Sequence, residues 1–161
     1  MVIRQARPED IPRIAEIYNE FLEDLRDLSG DPYFDFTSLS QEAREAILRE
    51  RFAAGKGTVA LAMEEEGGPL TGFVSMAVIP CFLSVSGVGE IGYIEGAYVR
   101  EPFRRSGILR KLEGLLVQDA KARGLSWMEL NTLAGNEGAN TSWKRLGYRV
   151  FRLQWRKDLR G

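Results

Sequence analysis

The stretch "VREPFRRSGILRKL", Val99–Leu112, decides the fold. Before it runs an apolar, strand-like segment, "IGYIEGAYV" (Ile91–Val99). After it, Leu109, Leu112, Leu116 and Ala120 recur at the spacing of one helix face. The turn between carries Arg100, Arg104, Arg105 and Gly107, with Arg110 and Lys111 close behind. A strand that feeds a helix in this way presents free N–H groups and a partial positive charge at the helix N-terminus. Added arginines make it a place for an anion of the pyrophosphate type. The next apolar run, "SWMELNT" (126–132), reads as a strand, so the unit is strand–turn–helix–strand and predicts a parallel pair.

Working outward, "VIRQAR" (Val2–Arg7) reads as a first strand. The segment 8–28 places Ile11, Ile14, Ile17, Phe21, Leu25 and Leu28 on one helix face. Pro12 is compatible with that helix in its first turn, where N–H groups lack intrahelical partners. An irregular "SGDPYFDFTSL" follows, then a second helix with Ser40 as its cap and Gly55 or Gly57 as its stop. "GTVALAMEE" and "TGFVSMAVI" flank the turn "EGGPL" and read as a hairpin. Beyond Asn136 lies a short helix, and "YRVFRLQWRK" alternates Phe151, Leu153 and Trp155 as a last strand.

Composition removes whole classes of chemistry. The chain has 161 residues, with Lys+Arg 22 against Asp+Glu 23, so generic nucleic-acid binding is not favoured. It contains no histidine, which excludes Ser-His-Asp triads, Cys-His dyads and most zinc or iron sites. Cys81 is the one cysteine and has no partner for a disulfide or a CxxC motif. With no histidine to activate it, Cys81 reads as a buried small hydrophobe, and Trp127 and Trp155 read as core or interface packing. The opening residues lack the apolar core of a signal peptide and no run reaches membrane-spanning length, so the expectation is one cytoplasmic domain, 1–161.

The turn Arg104-Arg105-Ser106-Gly107-Ile108-Leu109 resembles the R/Q-x-x-G-x-G/A acetyl-CoA motif of the GNAT N-acetyltransferases. A second family motif, an asparagine and a short helix ending in "LGF", is matched by Asn136 and "RLGY" (Arg145–Tyr148). The hairpin, the two N-terminal helices and the final strand also fall in family order, so the resemblance covers essentially the whole chain. "EGAYVREPFRRSG" is nearest in wording to the aminoglycoside 6'-N-acetyltransferase-like branch.

The resemblance implies an α/β GNAT fold: a mixed, mostly antiparallel sheet of about six to seven strands with a splayed parallel pair and about four helices. It implies acetyl-CoA as cosubstrate, with no metal. The pantetheine arm would lie along Ala97, Tyr98 and Val99, and the pyrophosphate on Arg104, Arg105, Ser106, Gly107, Ile108 and Leu109. Asn136 and Trp143 would complete the cofactor site. Glu95 matches a strand glutamate of several branches and would serve as general base, its pKa raised in an apolar strand. Glu90 is the alternative. Tyr33, Phe34, Asp35 and Asn131 would line the acceptor site. The acids and rings of the loop holding Asp31, Tyr33, Phe34, Asp35 and Phe36 suit a cationic primary amine. Three positions depart from the pattern. Leu109 replaces a small residue, Trp143 stands where many members carry a proton-donating tyrosine, and Asn131 replaces an aspartate. The missing tyrosine keeps a catalytically silent acyl-CoA-binding module in view, and acetylation of a protein or peptide amine is a second alternative. A homodimeric interaction protein that uses its aromatic strand and has no CoA site is a third.

Overall fold

The computed structural model describes residues 1–34 and 40–160. These divide into two compact units, Met1–Asn131 and Thr132–Gly161.

The first unit is built on a five-stranded sheet in the order β1-β2-β3-β4-β5. The strands are β1 (Val2–Gln5), β2 (Gly57–Met63), β3 (Leu70–Pro80), β4 (Glu90–Val99) and β5 (Met128–Leu130). All neighbours are antiparallel except β4 and β5, the parallel pair predicted from the crossover. Three helices accompany it: α1 (Ile11–Ser29), α2 (Gln41–Ala54) and α3 (Ile108–Ala122). Helix α1 follows a 3₁₀ turn at Pro8–Asp10 and carries Pro12 in its first turn. Its apolar stripe buries Ile11, Ile14, Ala15 and Ile17. Helix α2 starts at Ser40, whose hydroxyl accepts from Ala43 N–H at 3.2 Å, a cap that contributes about 1 kcal/mol. Helix α3 buries Ile108, Leu112, Leu116 and Ala120; the stripe begins at Ile108, one residue before the predicted Leu109.

The core gathers Ile14, Ile17, Leu61, Met63, Leu70 and Phe73. Each large side chain of this kind contributes roughly 1.5–3 kcal/mol on burial. An aromatic group continues it: Phe21 stands edge-on to Phe73 at 5.9 Å, and Tyr98 lies 6.3 Å from Phe21. At the sheet edge Asp10, fully buried, receives two hydrogen bonds from Arg4 (2.6 and 3.0 Å), one from Arg7 N–H (2.8 Å), and one from Arg13. Burial alone would raise the Asp10 pKa, but the bonds from Arg4 and Arg7 outweigh it and hold it at about 2.

The second unit holds α4 (Glu137–Arg145). Asn136 caps it, its side-chain oxygen accepting from Ala139 N–H at 3.1 Å. Trp143 is buried and meets Tyr148 edge-on at 5.2 Å.

Two strand expectations are corrected. The predicted strand 126–132 shortens to Met128–Leu130, and 149–160 form no strand, which leaves five strands where six to seven were expected. An alternating pattern becomes a strand only when a neighbour supplies ladder hydrogen bonds; among the described residues the sheet ends at β5. Phe151, Leu153 and Trp155 are consequently exposed, Trp155 at 87%, and Trp127 is exposed as well, so neither tryptophan belongs to the core. Cys81 is half-buried.

Candidate active site

The site starts from a mismatch of register. Strand β4 pairs with β3 from Glu90↔Pro80 to Ile94↔Met76, and again from Gly96↔Ser75 to Val99↔Gly72. Glu95 is the extra residue, a β-bulge that bends its strand and re-aims a side chain. Glu95 reaches Arg51 of α2, while Gly96 backs onto Phe21 of α1 and Phe73, so that a Cβ there would lie 3.3 Å from both rings. Two successive residues thus face the helices, which a regular strand forbids.

The bulge also marks where β4 and β5 part. Their pairing runs Gly92↔Met128, Tyr93↔Glu129, Ile94↔Leu130 and stops. Antiparallel ladders alternate bonded and non-bonded pairs. Since Arg100 N–H donates to Thr71 at 2.9 Å, the N–H groups of Val99 and Ala97 point away from β3, into the opening. The carbonyl of Val99 accepts from Arg104 Nε at 2.8 Å. Close packing of main chain holds this region: a Cβ on Gly72 would stand 2.9 Å from the Tyr98 carbonyl oxygen.

The opening leads to the start of α3. Gly107 is the N-cap residue with φ 82°, and Arg105 is left-handed at φ 63°. For Arg105 that conformation costs roughly 1–2 kcal/mol. Gly107 offers no capping side chain, so the N–H groups of Ile108, Leu109 and Arg110 remain available, and the left-handed residues bend the turn into a concavity of donors.

The arginines of this turn divide by role. Arg100 grips Glu20 of α1 with two bonds of 2.6 and 2.9 Å, and its pKa is raised by that carboxylate. Arg104 pairs with Asp24, one helical turn further along α1, at 2.9 Å. Its guanidinium also lies 5.7 Å from the Tyr98 ring centre. Both therefore tie the turn to α1. Arg105, Arg110 and Lys111 are exposed.

Beside the bulge lies a cavity of about 500 Å³ between α1, α2 and the sheet. Leu22, Leu48, Phe52 and Phe73 supply much of its apolar wall. Its charged lining is Glu95 with Arg44, Arg51 and Arg123. Glu95 and Arg51 are joined at 3.0 Å, with side chains 30% and 56% exposed. The expected apolar, desolvated surroundings of Glu95 are thus replaced by an exposed ion pair, because α2 brings a guanidinium to the bulge. Tyr18 also lines the cavity, and burial pushes its hydroxyl pKa up, so it stays protonated and able to donate. Sequence reasoning missed Tyr18 and Arg51; Tyr18 continues the α1 stripe at one turn from Ile14, whereas nothing local marks Arg51.

Of the other expected site residues, Ala97, Tyr98, Val99, Ser106 and Leu109 lie along the opening and its turn, all in the first unit. Asn131 is exposed directly after β5, and Tyr33 and Phe34 form a 3₁₀ turn with Pro32, Tyr33 exposed. Asp35 and Phe36 lie outside the described residues. Asn136 and Trp143 belong to the second unit, the first as the cap of α4.

A sequence model of the Acetyltransferase (GNAT) family matches residues 14–148. The chain belongs to the GNAT acetyltransferase family. Acyl transfer is the chemistry of that family. Among solved structures, a tetramutant of the BH1408 protein from Bacillus halodurans superposes with a TM-score of 0.80 at 22% identity, over 99% of this chain and 100% of that one. A predicted acetyltransferase from Clostridium acetobutylicum, solved with acetyl-CoA, gives 0.71 at 20% identity over 98% and 96%. AAC(6')-Iy, bound to the bisubstrate analogue CoA-S-monomethyl-acetylneamine, gives 0.76 at 16% identity over 98% and 97%. A comparison with curated protein sequences finds no significant match. No helix among the described residues is long and apolar enough to cross a membrane.

Proposed function

We propose that residues 1–161 act as one acetyl-CoA-dependent N-acetyltransferase domain that acetylates a primary amine of a small molecule by direct attack in a ternary complex. The observation that carries this reading is the parting of β4 and β5 after Ile94, with the N–H groups of Ala97 and Val99 turned into the gap. Pantetheine, an extended chain of amides, can pair with that free edge as a short extra strand does. The pyrophosphate then meets the donors of Arg105 to Leu109 at the start of α3. Asn136 and Trp143 enter the proposal as cofactor residues on the strength of the resemblance.

The chemistry follows from these positions. The acceptor arrives as an ammonium ion, and Glu95, directly or through a water molecule, takes its proton. The free amine attacks the thioester carbonyl, forming a C–N bond, and the developing oxyanion is met by the Val99 N–H. Collapse breaks the C–S bond, and the nitrogen, cationic after the attack, releases its second proton to water to leave the neutral amide. The CoA thiolate leaves and takes a proton from solvent, since the indole of Trp143 has none to give at neutral pH.

Gly107→Glu tests the cofactor assignment. The added carboxylate stands at the anion site, and the left-handed backbone position penalises any side chain by about 1 kcal/mol. Calorimetry should show acetyl-CoA affinity reduced at least tenfold, with circular dichroism unchanged. Unaltered affinity would remove the assignment.

A further inference from the structure

The cavity beside Glu95 presents one carboxylate and three guanidiniums, and the spacing of two of them defines a ligand. Arg123 is tied to Asp119 at 2.8 Å, and Arg44 is oriented by the amide oxygens of Asn19 (3.0 Å) and Gln41 (3.2 Å). The Arg51–Glu95 pair is different in kind. It joins α2 to the bulge of β4, lies on the cavity wall, and is open to solvent. Exposed pairs of this kind contribute at most about 1 kcal/mol, so a ligand can part them at little cost if it offers each a new partner.

We infer that the acceptor is a zwitterion: an amine carrying a carboxylate a few bonds away, of the α-amino acid type, with an apolar side chain. This rests on the transferase reading proposed above. Its ammonium replaces Arg51 against Glu95, and its carboxylate replaces Glu95 against Arg51. One ion pair is exchanged for two, and the proton to be removed is delivered to the base. A polyamine satisfies Glu95 but carries its remaining charge toward Arg51, Arg44 and Arg123. A simple amine leaves Arg51 without its carboxylate. Leu22, Leu48, Phe52 and Phe73 give the side chain an apolar wall, and about 500 Å³ accommodates one as large as phenylalanine. The Arg51 guanidinium beside Glu95 calls for a carboxylate on the acceptor in addition to the ammonium which the loop at Asp31 suggests.

The test compares matched acceptors on the wild-type protein with acetyl-CoA. Phenylalanine and leucine are set against their amides, against the corresponding amines without a carboxyl group, and against spermidine, with thiol release as the readout. The amide ammonium is the stronger acid and would react faster if the carboxylate were idle. The expected result is a kcat/KM at least tenfold higher for the amino acid than for its amide, with spermidine lower than both. Arg51→Met should bring the acid-to-amide ratio near unity, mainly through a higher KM for the acid. An amide or spermidine that matches the amino acid, or a preference that survives Arg51→Met, overturns the inference. Calorimetry runs alongside. Failure to bind acetyl-CoA would remove the transferase reading itself. If acetyl-CoA binds and no acceptor turns over, amino acid and amide are titrated into the CoA-saturated protein, and equal or absent binding overturns the zwitterion assignment.

Discussion

At the scale of single residues, Glu95 shows how a side chain acquires its position from main-chain geometry. Its address was legible in "YIEGAYV"; its surroundings were not. A bulge arises from a mismatch between two strands twenty residues apart, and neither strand alone carries the information. The arginines show the same limit. Arg100 and Arg104 were visible as charge, but Glu20 and Asp24 sit eighty positions away in sequence, and only the fold makes them partners. Local codes fared better: the Ser40 cap and the glycine before α3 act within a few residues and were read directly. If Glu95 is the base, Glu95→Gln should lower kcat by roughly 10²–10⁴-fold while acetyl-CoA affinity, measured by calorimetry, stays within threefold. A variant with full kcat across pH 6–9 would place the base elsewhere.

At the scale of elements, the opening between β4 and β5 depends on how tightly β4 is held on its other side. Gly72 faces Val99 across the β3–β4 ladder with no room for a methyl group. Gly72→Ala must push the Tyr98–Val99 main chain away, a strain of about 1–3 kcal/mol, and it moves the very segment that borders the gap. Urea denaturation should register that loss, and acetyl-CoA affinity should fall with it. Wild-type stability in this variant would show that the strands give way freely. Helices α1 and α3 were readable from periodicity because each buries a stripe of its own, and α2 from its serine cap and glycine stop. The last strand was misread for the converse reason: residues 149–160 alternate correctly, but alternation describes a willingness to pair and not the presence of a partner.

At the scale of the molecule, acid stability follows from Asp10. Its native pKa is about 2, below the ordinary carboxylate value near 3.9. The unfolded chain therefore takes up the proton first as pH falls. The stabilisation is complete above pH 4, shrinks between 4 and 2, and amounts to about 2–3 kcal/mol from a shift of nearly two units. Urea unfolding at pH 6 should show Asp10→Asn clearly less stable than wild type, since it leaves Arg4 and Arg13 facing a neutral group. At pH 2 the two proteins should converge. A gap of constant size across that range would mean that Asp10 titrates normally.

The edge formed by Ala97 and Val99 is made of peptide groups, so its donors are written into the chain whatever side chains stand there. Nineteen of the twenty amino acids supply the same N–H, and only proline withholds it. An exchange of side chain at these two positions therefore leaves the donors themselves in place. Divergence to 16–22% identity with the fold intact is what such a construction permits.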